Sequence, residues 1–174
     1  MPAGPLEESQ SPQTSNKPEP VLRNIKQSLP MQLLQAREAA MGYFRPLLRS
    51  HNLTEQQWRV IRVLADCQCM DATELARHCF LHPPSLTRIL QTLAADGLIN
   101  REPDPSDQRR SMVRLSQSGR QKFAQISPHS ENAYQAIEAR FGTANLQTLY
   151  QLLDELNQTL TEPPPIQETR YEPK

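Results

Sequence analysis

The segment DATELARHCFLHPPSLTRILQTLAADGLINREPDPSDQRRSMVRLSQSG, which runs from Asp71 to Gly119, decides the fold. Its first half contains two short helical patterns joined by a tight connection. Its second half contains two short alternating stretches joined by turn-forming residues, which predicts a β-hairpin. We therefore expect a mainly α chain with one small β-hairpin.

Both helices of this segment have clear start signals. Asp71 can cap the first helix, and Glu74 three residues later completes a variant of the capping box. The second helix is predicted to begin near Pro83, because proline fits the first helical turn, and to run to Ala95 with Gly97 ending it. The predicted buried positions are Ala72, Leu75, Ala76 and Cys79 on the first helix and Leu86, Ile89, Leu90 and Leu93 on the second.

The second helix leaves short polar side chains and one arginine outside its apolar stripe. Such side chains suit the phosphates and base edges of a DNA major groove. Two helices joined this way and followed by a basic hairpin predict a winged helix-turn-helix that binds duplex DNA. The candidate DNA contacts on this helix are Pro84, Ser85, Thr87, Arg88 and Gln91.

The hairpin supplies the candidate wing. Its strands are predicted at residues 98–101 and 111–116, with Val113 and Leu115 on one face. Asp107 lies two residues before Arg109 and can pair with it, and Arg109 or Arg110 could then enter the minor groove, where negative potential attracts arginine. The alternative is that these charges only solvate a loop.

The ordered set Asp107-Gln108-Arg109, Val113, Leu115-Ser116 and Gly119 resembles the wing motif of MarR-type winged-helix regulators. The resemblance runs from about Leu33 to Leu160. It implies a homodimer whose terminal helices form the interface and whose winged domains bind a pseudo-palindromic double-stranded operator.

One domain is predicted between two disordered tails. The first, residues 1–28, is rich in Pro, Ser, Gln and Glu, and the second, residues 161–174, contains Pro163-Pro164-Pro165. Residues 29–160 form that domain, with a DNA-binding lobe at 54–120 and dimerisation helices at 29–50 and 121–160. Pro46 is expected to kink or break the first helix. A leucine stripe on the last helix, at about 143–160, is expected to pack on a partner or on the first helix.

Composition excludes several classes of protein. The 174 residues carry 19 basic and 19 acidic side chains, so any DNA binding must depend on placed arginines and on dimerisation. We expect no membrane span, no signal peptide and a cytoplasmic protein. The chain lacks the motifs of phosphate loops, nucleophile elbows and metal sites, so we expect no enzyme, cofactor or metal. Cys79 is expected in the core, which disfavours redox sensing.

Arg37 is the unusual residue of the first helix, because its spacing from Leu33 and Met41 places it on the apolar face. A cation there needs a partner. One alternative is a structural salt bridge, for example to a carboxylate like that of Glu38. The other is a pocket in which the guanidinium binds a small carboxylate.

Residues 33–64 resemble the regulators of homoprotocatechuate (4-hydroxyphenylacetate) degradation operons within the MarR-type family. That resemblance implies a repressor released from its operator by a small aromatic acid, bound between the dimerisation helices and the winged domain. The alternatives are a different effector, redox or another phenol, an activator, and a winged-helix module that binds protein. The candidate effector residues are Arg37 for the carboxylate, Arg45 as the second anion ligand, His51 for the carboxylate or phenol, and Trp58 for the ring.

Overall fold

The computed structural model describes residues 24–104, 106–107 and 110–161. A 3-10 helix, Ile25–Gln27, precedes six α-helices and three strands. The α-helices are α1 Leu29–Ser50, α2 Glu55–Cys67, α3 Ala72–His78, α4 Pro83–Ala95, α5 Gln117–Phe141 and α6 Thr143–Thr159. The strands are β1 Cys69–Asp71, β2 Ile99–Pro103 and β3 Ser111–Leu115.

Residues 24–36 form a small helical unit that is separate from the rest of the fold. The Asn24 side chain accepts a hydrogen bond from the Lys26 amide at 3.0 Å and so caps the 3-10 helix. Helical structure thus begins inside the segment predicted as a tail. The unit leaves its apolar side chains in solvent, namely Ile25, Leu29, Met31, Leu33 and Leu34.

Pro46 was predicted to kink or break α1, and the break is not found, because the helix continues to Ser50. A proline inside a helix removes one main-chain hydrogen bond. Phe44 and Leu48, on either side of it, are buried, and their burial offsets that loss.

The spacing of Thr54 and Gln57 in the sequence predicts a capping box at the start of α2, and the structure confirms it. The Thr54 hydroxyl accepts from the Gln57 amide at 3.1 Å, and the Gln57 side chain accepts from the Thr54 amide at 2.9 Å. These two bonds form the capping box that the sequence predicts. The helix then buries Trp58, Val60, Ile61 and Leu64.

The helix-turn-helix is confirmed at the predicted residues. α4 begins at Pro83, ends at Ala95 and buries all four predicted positions. Gly97 has φ +69° and follows the C-cap, with its amide donating to the Ala94 carbonyl and the Leu98 amide donating to the Leu93 carbonyl. This pair of bonds is a Schellman motif, which satisfies carbonyls at the helix end and turns the chain towards the wing.

The predicted hairpin is part of a three-stranded antiparallel sheet of order β1-β3-β2. β1 was not predicted, because three residues are too short to show alternation. It forms because Met70, which is buried, pairs with Val113 of β3, 43 positions along the chain. β2 and β3 pair from Ile99 opposite Leu115 to Pro103 opposite Ser111.

One hydrophobic core joins α2, α3, α4, α5 and the sheet. Its side chains with no measurable exposure include Val60, Ile61, Leu75, Leu93, Val113 and Ile126. Trp58 of α2 stacks on Phe123 of α5, with ring centroids 5.7 Å apart. The core therefore fixes α5 against the helix-turn-helix.

Asp71 joins three parts of this lobe. It ends β1, and its side chain caps α3 by accepting from the Thr73 and Glu74 amides at 2.9 and 3.2 Å. Its second carboxylate oxygen lies 3.4 Å from Arg110 Nε at the base of the wing. Desolvation raises the pKa of this carboxyl, but the two backbone bonds and Arg110 outweigh it and hold the pKa below its ordinary value.

Gly119 marks a close approach between α5 and the end of the helix-turn-helix. A Cβ at this position would lie 2.0 Å from the Leu98 carbonyl oxygen. That oxygen accepts from the Ser116 amide at 3.0 Å, and the Ser116 hydroxyl caps α5 by accepting from the Gly119 amide at 2.9 Å. The Ser-x-x-Gly spacing therefore serves a helix cap and a backbone contact at once.

The last helix, α6, has no buried side chain. Leu146, Leu153 and Leu156 are half-buried, whereas Leu149 and Leu152 are exposed. Its leucine stripe is therefore not covered by the described part of the same chain. None of the described helices is long and apolar enough to cross a membrane.

Replacing Gly119 by alanine is expected to destabilise the protein by about 1–3 kcal/mol, because the added methyl group overlaps a backbone oxygen that cannot rotate away. Gly42→Ala is the matched control. Gly42 lies within α1 with open space around its Cβ, so alanine there should stabilise by about 0.5–1 kcal/mol. Urea denaturation measures both changes, and equal stability of the two variants would contradict the close approach.

Replacing Asp71 by asparagine tests the charge, because asparagine is also a good N-cap. A carboxyl with a lowered folded pKa stabilises the protein above its ordinary value of 3.8, and this contribution is lost as pH falls through the folded pKa. D71N should therefore be less stable than wild type at neutral pH, and the gap should close as pH falls below 3.8 and through the lower folded pKa.

The D71A variant separates the cap from the charge in the same denaturation series. It should lose a further 0.5–2 kcal/mol, roughly, relative to D71N at every pH. A gap between wild type and D71N that stays constant across the acid range would show that the carboxylate charge is not what joins the wing to α3.

Candidate nucleic-acid interface and ligand pocket

The structure brings the predicted contacts of α4 onto one exposed surface. They lie on the side of the helix opposite its buried stripe, because Leu86, Ile89, Leu90 and Leu93 face the core. All five predicted side chains are exposed, namely Pro84, Ser85, Thr87, Arg88 and Gln91.

The start of α4 favours a negatively charged partner. No acidic residue lies in its first turn, so the positive end of the helix dipole is not neutralised locally. Within the described residues, no carboxylate forms an ion pair with Arg88. The Thr87 hydroxyl donates to the Pro83 carbonyl at 2.9 Å, which leaves its methyl group and a lone pair for an external contact.

Asp104, which the sequence analysis did not single out, organises the described part of the wing tip. Its carboxylate accepts from the Ser106 hydroxyl at 2.6 Å and from the Ser106 amide at 2.8 Å. The bond from the Ser106 hydroxyl, followed by that from its amide, lowers the pKa of Asp104. The Asp-x-Ser spacing in the turn is the signal that could have identified this role.

The predicted pair between Asp107 and Arg109 lies outside the described residues, because Arg109 is not among them. Asp107 accepts through its carbonyl from the Arg110 amide at 2.9 Å. Arg110, predicted as a groove contact, is half exposed and pairs with Asp71, so it also fixes the wing to α3.

A cavity of about 160 Å³ lies between α1, α2 and α5. Its walls combine apolar and aromatic side chains with charged groups, as small-molecule sites do. Of the four predicted effector residues, Trp58 lines it, whereas Arg37, Arg45 and His51 do not. The complete lining is Met41, Phe44, Glu55, Trp58, Arg59, Arg62 and Tyr134.

Arg62 and Tyr134 form the polar centre of this cavity. Arg62 Nη1 donates to the Tyr134 hydroxyl at 2.7 Å, and its guanidinium lies 5.9 Å from the centroid of the same ring. Tyr134 also meets Phe44 edge to face at 4.9 Å. In the described part of the chain Arg62 has no carboxylate partner, so its remaining donors can bind an external anion.

Neither residue is among the effector residues predicted from the sequence. Arg62 lies one helical turn after Trp58 on α2, a spacing that could have identified it. Tyr134 is 72 positions away on α5, so only the tertiary structure brings its hydroxyl to Arg62.

Arg37 belongs to a cluster of alternating charges beside the cavity. Its guanidinium pairs with Glu38 and Glu55, each at 2.6 Å, and Arg45 pairs with the same two carboxylates. The Arg37 side chain is 42% exposed, so apolar groups of its own chain do not enclose it. Of the two alternatives for this residue, the salt bridge is the one found.

Glu55 connects this cluster to the cavity wall. Partial desolvation raises the pKa of Glu55, but the hydrogen bonds from Arg45 and Arg37 outweigh it, so the pKa lies below its ordinary value. Glu55 is therefore charged and neutralised locally at neutral pH.

Cys79 is fully buried at the end of α3, as predicted. Burial raises the pKa of its thiol to about 11, against a smaller opposing effect of Arg59. The thiol is therefore protonated at neutral pH and unreactive. Cys67 and Cys69 are exposed free thiols.

The comparisons with known proteins agree with this geometry. The family model described as "MarR family" matches residues 53–111. The homoprotocatechuate degradative operon repressor of Escherichia coli is 45% identical over 128 residues, which cover 74% of this chain and 86% of that protein. The regulator FarR of Neisseria gonorrhoeae is 40% identical over 129 residues, 74% of this chain and 88% of that protein.

A solved structure is also similar to this chain. NadR in complex with 4-hydroxyphenylacetate matches with a TM-score of 0.68 and 38% identity, and the match covers 78% of this chain and 96% of NadR. With relatives this similar over most of its length, the chain belongs to the MarR family.

Proposed function

We propose that the protein is a dimeric transcriptional repressor that binds a pseudo-palindromic operator and releases it on binding a small aromatic carboxylate of the 4-hydroxyphenylacetate class. The observation that carries this proposal is the cavity in which Arg62 and Tyr134 meet beside Trp58. The likeness to a homoprotocatechuate operon repressor and to NadR with 4-hydroxyphenylacetate supports the ligand class.

The DNA contact is assigned to α4 and to the wing. The exposed face of α4 enters the major groove, with Ser85, Arg88 and Gln91 towards base edges and phosphates. Arg109 and Arg110 of the wing are proposed to approach the neighbouring minor groove, with Arg110 held in direction by Asp71. The chain has no net charge, so affinity rests on these few groups in two copies.

Dimerisation is supported by two uncovered apolar surfaces, each taken by itself. One is the leucine stripe of α6, where Leu149 and Leu152 are exposed. The other is the unit at residues 24–36, with five exposed large apolar side chains. Large apolar side chains concentrated in this way mark interfaces between subunits.

The aromatic acid is proposed to place its ring against Trp58 and Phe44 and its carboxylate on Arg62 and the Tyr134 hydroxyl. Arg37 and Arg45, proposed from the sequence as anion ligands, would act indirectly. They neutralise Glu55, whose charge in the wall would otherwise repel the carboxylate. His51, half-buried outside the cavity lining, has no direct role in this proposal.

Release from DNA follows from where the ligand binds. α2 packs in the core against α3, α4 and the sheet, and Tyr134 lies on α5 beyond Phe123 and Ile126, the part of α5 that packs in the same core. A ligand held by α2 and α5 favours one arrangement of these helices and so one separation of the two α4 helices, which an operator requires to be about 34 Å. The largest possible effect equals the ligand's differential affinity for the two arrangements.

Arg88→Ala is expected to weaken operator binding by about 1–3 kcal/mol and to lower the slope of log affinity against log salt by about one. Arg49→Ala, on the exposed last turn of α1, is the matched control and should change neither quantity. Fluorescence anisotropy with a labelled operator at several salt concentrations measures both. Equal behaviour of the two variants would remove α4 from the DNA interface.

Arg62→Ala is expected to weaken 4-hydroxyphenylacetate binding at least tenfold, roughly, because a charged hydrogen-bond pair is lost. Trp58 is the only tryptophan, so quenching of its fluorescence measures this binding directly. Without the ligand, R62A should still bind the operator.

The neutral amide of the same ligand is the control. It should bind wild type weakly and should not distinguish wild type from R62A, because it carries no charge for the guanidinium. If R62A binds the acid as tightly as wild type does, the carboxylate lies elsewhere in the protein.

A further inference from the structure

Phe80 has the most exposed large apolar side chain of the described residues. It is 88% exposed and lies in the turn between α3 and α4. Its backbone also has φ +50°, the left-handed region that bulky side chains rarely adopt. Both properties oppose stability, so neither packing nor backbone geometry explains a phenylalanine here.

The same chain shows which residues suit this position. Three helices, α1, α3 and α4, end in the same Schellman motif, and the left-handed residues in order are Asn52, Phe80 and Gly97. In the α3 motif the Phe80 amide donates to the Arg77 carbonyl at 3.0 Å and the Leu81 amide donates to the Ala76 carbonyl at 2.9 Å. Each left-handed residue is followed by a leucine that is buried or half-buried.

Asparagine and glycine are the residues that tolerate a left-handed backbone, because glycine has no Cβ and asparagine can hydrogen-bond locally. Two of the three Schellman ends use them, whereas Gln68, with φ +62°, ends α2 in a different conformation. The third carries an aromatic ring in water, at a conformational cost that a single substitution would remove. Residues held against their preference in this way concentrate at functional sites.

The position of Phe80 indicates its partner. It lies two residues before His82, the N-cap of α4, and four before Pro84, on the side from which α4 enters the groove. Arg77, His78 and His82 are exposed around it, and no carboxylate occurs from Ala76 to Leu93. An exposed apolar ring in a segment without negative charge fits the apolar carbons of DNA.

We propose that Phe80 is a DNA-contacting residue whose ring packs on the thymine methyl groups or deoxyribose carbons at the edge of the half-site bound by α4. This inference rests on the proposed DNA-binding function and extends it. The helix-turn-helix thereby loses stability at its turn and gains an apolar contact that the polar face of α4 does not supply.

The test compares Phe80→Asn and Phe80→Leu with wild type. F80N should raise the melting temperature by a few degrees, because asparagine relieves the left-handed strain, and should weaken operator binding by about 5- to 100-fold. Its salt slope should stay at the wild-type value, because no charge is removed, whereas R88A lowers that slope. F80L, still apolar but branched, should recover part of the affinity without the gain in stability.

Operators that carry deoxyuridine in place of thymidine distinguish the two DNA partners. If the ring contacts thymine methyls, this replacement costs wild type more affinity than it costs F80N. If the ring contacts deoxyribose, the replacement lowers the affinity of both proteins equally, and F80N binds either DNA more weakly than wild type does.

Three results would show whether the Phe80 contact alone is wrong or whether the proposed DNA-binding function is wrong as well. Operator binding by F80N equal to wild type, while R88A still binds weakly, overturns the role of Phe80 and leaves the proposed function intact. Absence of DNA binding by wild type at low salt overturns both. A change in the sedimentation coefficient of F80N would place the ring in an interface between copies and would also overturn the DNA contact.

Discussion

The buried carboxylate of Asp71 is the interaction on which the DNA-binding lobe depends. Its two oxygens satisfy two amides at the start of α3 and attract Arg110 from the wing, while its backbone ends the strand that pairs with β3. A carboxylate this deeply buried is tolerated only with such partners. Because the partners lie on a helix, a strand and a hairpin, one side chain fixes the wing relative to the helix-turn-helix.

The helix α2 connects the cavity with the proposed DNA-binding surface. One of its faces buries Val60, Ile61 and Leu64 in the core that carries α4, while Trp58 and Arg62 line the cavity. Well-packed cores transmit strain because they have few voids and little freedom to deform. A ligand that changes the contact between Arg62 and Tyr134 therefore acts on the same helix that supports the DNA-binding surface.

Charges in this protein are placed in small neutral groups. Arg37, Glu38, Arg45 and Glu55 neutralise one another beside the cavity, and Asp71 neutralises Arg110 at the base of the wing. Arg62 and Arg88 are outside these groups. Other described arginines, such as Arg49, also lack a carboxylate partner, but Arg62 lies in the cavity wall and Arg88 on the exposed face of α4, and this location makes the two of them candidates for an external anion.

Signals from residues close together in the sequence were sufficient to predict most of the helices and the hairpin. The Thr54 capping box, the Pro83 start, the stripe from Leu86 to Leu93 and the glycine at 97 each depend on residues within one or two helical turns, so spacing alone predicts them. The family resemblance identified the wing motif, which ends at Gly119. The structure explains why this position is a glycine, because a Cβ there would overlap the Leu98 carbonyl oxygen.

The tertiary structure alone decided what depends on distant residues. β1 exists only because β3 pairs with it, Arg37 finds Glu55 eighteen positions away, and Arg62 meets Tyr134 across 72. Periodicity assigns a residue to a face of its own helix but cannot say which group from another element lies opposite. The sequence by itself therefore determined a winged helix with a DNA-binding face, and the packing of α1 and α5 on α2 decided which arginine forms ion pairs and which has no carboxylate partner among the described residues.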